Sequence, residues 1–100
     1  MSVSKGLWVQ IKAKVGKEDE VEQMLTGALE AVEAEEGTTA WFALKIGPSS
    51  FGIFDAFADD AGRDAHLNGE VAKALMGAVG DLIEEPSIDK NDVLAAKLSS

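Results

Sequence analysis

One hundred residues with no cysteine, eighteen acids against nine bases and a formal net charge of −9 describe a small acidic chain. Those counts exclude disulfides, thiolate nucleophiles and cysteine-held zinc or iron–sulfur centres, and the acids crowded between Glu18 and Glu36 would repel a nucleic-acid backbone. No apolar run reaches the ~18–20 residues that cross a bilayer, and MSVSKGLWVQ lacks the apolar stretch of a signal peptide, so no membrane partner is expected and the cytoplasm is the expected location.

Leu7 to Val15 alternates, with Leu7, Val9, Ile11, Ala13 and Val15 on one side and Trp8, Gln10, Lys12 and Lys14 on the other, which predicts a first strand. Gly16 breaks it. The acids Glu18, Asp19 and Glu20 suit a helix N-terminus, and Val21, Met24, Leu25, Ala28, Leu29 and Val32 recur at helical spacing. This predicts an amphipathic helix of about five turns, closed by Gly37 as the residue after the C-cap.

Thr38 to Ile46, TTAWFALKI, is β-branched and aromatic and reads as a second strand, with Trp41 and Phe42 on opposite faces. Gly47-Pro48-Ser49-Ser50 is a short turn, which makes the next strand an antiparallel partner. In that third strand Phe51, Ile53, Asp55 and Phe57 share one face, and Gly52, Phe54 and Ala56 the other. Asp59 or Asp60 then caps a helix that carries Ala61, Ala65 and His66 and breaks at Asn68-Gly69. Glu70 to Leu82 predicts a further helix, weakened at its far end by Gly77 and Gly80 and stopped before Pro86. The segment Asp92 to Leu98, DVLAAKL, reads as the closing strand, with a helix the other reading of the same residues. No repeat, low-complexity segment or linker interrupts this order, so residues 1–100 are expected to form one domain.

Strand, helix, hairpin, helix, strand is the order of a ferredoxin-like split βαβ unit. It is an α+β fold in which helices cover one face of an antiparallel four-stranded sheet. The uncovered face carries apolar and aromatic side chains, and a chain this short buries only about 60–65% of its unfolded surface. A homodimer that sets two sheets face to face is therefore expected.

The order of elements, together with VGKEDEVEQML, EEGTTAWFAL, FGIFDAFADDAGRDAHL and DVLAAKL, resembles the antibiotic-biosynthesis-monooxygenase-type dimeric α/β barrels over nearly the whole chain. That resemblance implies a sheet-to-sheet homodimer with an enclosed pocket. It also implies a cofactor-independent monooxygenase that oxidises a quinol, polyphenol or polyketide aromatic with molecular oxygen. Asp55 and His66 match the family's acid late in the third strand and histidine ending the next helix. Haem-degrading members carry their iron-ligating histidine on the following helix, where EVAKALMGAV has none and Met76 stands near the position; haem degradation is disfavoured. No tyrosine is present to donate a phenolic proton.

Such chemistry needs an apolar pocket, a base and exclusion of water. His66 would be the base and Asp55 the acid that orients it. Trp8 and Trp41 would stack on a small aromatic substrate, Gln10 would hold a carbonyl, and Arg63 completes the substrate-binding set. Each also has a bland reading: His66 as a helix-end cap, Asp55 bound to a backbone N–H or to Arg63, and the tryptophans in core or dimer packing. Arg63 would be a solvated ion-pair partner for Asp59, Asp60 or Asp64, and Met24 and Met76 core residues. One histidine and scattered carboxylates supply no metal-ligand set, and flavin, nicotinamide and phosphate-loop fingerprints are missing, so no metal or cofactor is expected. A non-catalytic dimeric barrel that binds a small apolar metabolite is the alternative function.

Overall fold

The computed structural model describes residues 2–99. Its elements are β1 (Lys5–Lys12), α1 (Glu18–Gly27), α2 (Leu29–Glu33), β2 (Thr38–Lys45), β3 (Ser50–Phe57), α3 (Asp60–Leu67), α4 (Glu70–Gly77) and β4 (Ser87–Asp92). The strands form one antiparallel sheet in the order β2-β3-β1-β4, the ferredoxin-like α+β arrangement expected from the sequence. Among the described residues, no helix is long and apolar enough to cross a membrane.

The period-two pattern decides which side of the sheet the helices cover. Val9, Ile11, Phe51 and Ile53 point inward and join Val21, Leu25, Leu75, Ala78 and Ile83 in one buried cluster. Directly paired residues share a face, so the pairings Leu7–Asp55 and Asp55–Trp41 put all three side chains on the helix side. The pairings Trp8–Phe54 and Phe54–Phe42 put those aromatics on the opposite, open side.

Four boundaries differ from the sequence reading, each for a local reason. β1 stops at Lys12 because the chain turns where Lys17 N–H donates to the Lys14 carbonyl and Gly16 takes φ +84°; Val15 is left exposed. The long first helix is divided at Ala28, whose N–H is shared between the carbonyls of Met24 and Leu25, a tightened turn. Its end comes at Glu33, and Gly37 does not adopt the left-handed conformation of a terminating glycine. Gly37 instead lies against Gly62 of α3: a Cβ added to Gly37 would sit 2.9 Å from the Gly62 Cα. α4 ends at Gly77, and Met76, expected in the core, is half exposed.

The largest correction concerns the closing strand. It is SIDKND, not DVLAAKL: β4 runs beside β1 with Gln10 opposite Ser87 and Lys5 opposite Asp92. Residues 93–99 have no regular structure, and Leu94 is almost fully exposed. Pairing with β1 requires strand residues directly after Pro86, which has no N–H to give. Their charges suit an edge strand, where they discourage a second chain from adding on.

Candidate functional site

The break at Asn68-Gly69 sets α3 apart as a short helix, started by Asp59, whose Oδ1 accepts from the Gly62 N–H at 2.9 Å. The last turn of α3 brings His66 down onto β3. There its Nε2 lies 2.9 Å from Oδ2 of Asp55, a residue with no exposed surface. The approach is close but off the ring N–H axis, and neither Asp55 oxygen receives a well-directed hydrogen bond. On its other side His66 Nδ1 lies 2.6 Å from Oε1 of Glu35, just past α2. Three segments distant in sequence thus meet in a line: Asp55, His66, Glu35.

Burial pulls the proton affinity of His66 down and is the largest single influence, but the contacts with Asp55 and Glu35 together outweigh it, and the pKa is raised above its ordinary value. The unfolded histidine titrates near about 6.5. Stabilisation from the charged ring is therefore complete below about pH 6.5 and fades as pH climbs through the raised folded value. Urea midpoints measured from about pH 6 to about pH 9 should fall across that interval, and a His66→Gln variant should lose this component.

Glu35 and His66 line a cleft of about 330 Å³ with Gly37, Thr38, Gly62, Ala65 and Glu70. Its neighbour, a cavity of about 290 Å³ between α1, α2 and α4 over Ile53, shares Ala31 and Glu70 with it. The two form one trough, apolar at the Ile53 end and ionisable at the His66 end.

The residues expected to bind substrate do not converge on that trough. Trp41 lies on the helix side, opposite Asp55 in register, packed against the core with its Nε1 buried and unpaired among the described residues. Trp8 and Gln10 are on the open side, where the Trp8 ring covers Gly52 so closely that an added Cβ would fall 2.6 Å from it. Arg63 is neither solvated nor in the trough. Nearly buried, it donates to the Gly6 and Asn91 carbonyls at 3.2 and 3.0 Å and meets Asp60 at 3.2 Å, which ties α3 to the β1–β4 edge. Asp55 meets His66 and not Arg63 or a backbone N–H. Sequence reasoning missed Glu35, although Val21, Leu25, Ala28 and Val32 repeat at intervals of four and three, and Glu35 is the next position of that buried stripe. No group of three or more His, Cys, Asp or Glu among the described residues is arranged to hold a metal ion.

The four-stranded ferredoxin-like fold itself is shared with several solved proteins. A Pseudomonas aeruginosa protein is 24% identical over 95% of this chain and 98% of that one, with a TM-score of 0.81. A Nitrosomonas europaea protein provisionally named an antibiotic biosynthesis monooxygenase is 17% identical over 91% and 99%, with a TM-score of 0.80. At that distance they share the fold with this chain. Nearer is a second Nitrosomonas europaea protein, of unknown function, 52% identical over 98% of this chain and 96% of that one, with a TM-score of 0.95; the chain belongs to the same family as this protein. No known family profile and no curated protein matches it.

Proposed function

We propose that the chain is a small oxygenase that oxidises a hydroxyaromatic, of the quinol or polyphenol kind, with molecular oxygen. The observation that carries this reading is the Glu35–His66–Asp55 line at the polar end of an apolar trough. The aromatic body occupies the Ile53 end and its hydroxyl faces Glu35, the most accessible member of the line. Glu35 takes the hydroxyl proton and passes it to His66, which Asp55 holds from behind. The electron-rich phenolate gives one electron to oxygen, and the radical pair joins as a carbon–oxygen bond. The peroxide then breaks: one oxygen stays on carbon as a carbonyl, and the other leaves as water with the hydroxyl hydrogen and the hydrogen of that carbon. His66 must be unprotonated to receive a proton, so turnover should rise with pH through its raised pKa. Oxygen uptake with a panel of hydroquinones and anthrones tests the reading; uptake no greater than that of Glu35→Gln and His66→Ala controls would sink it.

Both ring nitrogens of His66 are already engaged and its side chain is 7% exposed. That observation favours a second reading, a binding protein for a small apolar metabolite, in which the line only braces the trough. Ligand-induced stabilisation without turnover, unchanged in Glu35→Gln, selects it.

The open sheet face supports assembly as a homodimer. Phe42 is 53% exposed and Leu44 41%, beside the half-buried Trp8 and Phe54, an apolar surface of the kind that marks an interface. Sedimentation at micromolar concentration should show a dimer, and Phe42→Asp should shift it to monomer by burying a charge between the sheets. A wild-type monomer would refute this assembly.

A further inference from the structure

The Ile53 end of the trough carries an electrostatic feature that the oxidation chemistry does not use. Its wall is Met24, Ala28, Val71 and Leu75 over Ile53, and Glu70 stands where it joins the His66 cleft. The joined cleft adds Glu35 and Glu36, and no lysine or arginine lines either part. Four acids of the chain meet a lysine or arginine, Asp92 with Lys5, Glu20 with Lys17, Glu22 with Lys45 and Asp60 with Arg63, and all four lie outside the trough. Glu36 and Glu70 have no such partner among the described residues.

We propose that this trough takes a small aromatic amine, its ring over Ile53 and its ammonium between Glu70 and Glu36. An apolar wall rewards a ring, while carboxylates at the junction attract a cation and repel a carboxylate or phosphate. A volume of about 290 Å³ lies at the small end of ligand pockets and suits one ring with a short side chain. The inference rests on the proposed function only in seating the ligand in the same trough. It is read by binding, so it stands if no oxidation is found and falls without affecting an oxidation that is found.

The probes are 2-phenylethylamine, its alcohol isostere 2-phenylethanol, and phenylacetate, each titrated into the full chain while backbone amide shifts are followed by NMR. The amine should move the amides of Ala28, Val71 and Ala74 and bind about tenfold more tightly than the alcohol, with phenylacetate giving no shift. Glu70→Gln, or salt near about 0.5 M, should cut that advantage to about threefold or less. Ala74→Trp, at an exposed position on the wall, should fill the cavity and abolish the shifts. The proposal is overturned by an alcohol that binds as well as the amine, by an amine advantage unchanged in Glu70→Gln, by shifts that persist in Ala74→Trp or gather on the Glu18–Glu22 surface, or by no shift with any probe.

Discussion

Replacing His66 by alanine should destabilise the protein by about 3–5 kcal/mol, the range seen when one partner of a buried ionic contact is removed, and lower Tm by at least about 12 °C. Asp55 is fully buried, and His66 is the one side chain in ionic contact with it among the described residues. Without the imidazole its carboxyl group is left in an apolar interior, and whichever protonation state it adopts, it has no partner. The Phe57 ring, 5.5 Å from the imidazole centroid, also loses a neighbour. The loss should be specific to leaving the acid stranded. Changing both positions to apolar residues, Asp55→Val with His66→Leu, should recover much of the stability, because a buried ionic group exchanged for hydrocarbon of similar volume is often neutral or better. Thermal melts followed by circular dichroism decide the matter, and a single His66→Ala variant melting within about 2 °C of the parent would refute the argument.

The second large effect is expected where two stretches of backbone cross. A Cβ placed on Gly62 would lie 2.7 Å from the Gly37 carbonyl oxygen, and one on Gly37 would lie 2.9 Å from the Gly62 Cα. Neither glycine has a positive φ, so the requirement is one of space and not of conformation. The obstructing atoms are main chain, which cannot swing aside as a side-chain tip can. Gly62→Ala should cost about 1–3 kcal/mol and Gly62→Val more. Forcing the crossing apart also draws the segment that carries Glu35 away from α3, so Gly62→Val should weaken the Glu35–His66 contact and flatten the pH dependence of stability. Changes at Gly37 and Gly62 address the same contact, so the double variant should lose less than the sum of the two. A Gly62→Val protein within about 0.5 kcal/mol of the parent in urea unfolding would contradict this.

The fold was legible wherever side-chain period and turn chemistry agreed. The hairpin through Pro48, the Asp59 cap, the break at Asn68-Gly69 and the inward phase of Phe51, Ile53 and Asp55 all follow from local residues. β4 was illegible because both of its faces are largely exposed. SIDKND carries no apolar alternation, and only its pairing with β1 makes it a strand, while the more apolar DVLAAKL drew the assignment. In the site, Asp55 and His66 could be picked out as an inward acid and a helix-end histidine, but their contact is tertiary. Glu35 looked like one more acid in a charged run. Its phase with Val21, Leu25, Ala28 and Val32 separates it from Glu30, Glu33 and Glu36, which lie off that stripe. The scatter of the expected substrate-binding set was also readable. Trp8 and Gln10 alternate against Leu7, Val9 and Ile11, so they point away from the face that holds Asp55.

That separation of the two tryptophans makes the sheet an optical partition. The chain has two tryptophans and no tyrosine, so its near-ultraviolet emission comes from one indole on each side. Trp41 sits beneath the helices, paired across the strands with Asp55, and Trp8 lies against Gly52 on the outer face. A Trp8→Phe protein would therefore glow from the trough side alone, and a Trp41→Phe protein from the outer face alone. Events on the two faces can therefore be followed one at a time in the two single-tryptophan proteins, without attaching any dye.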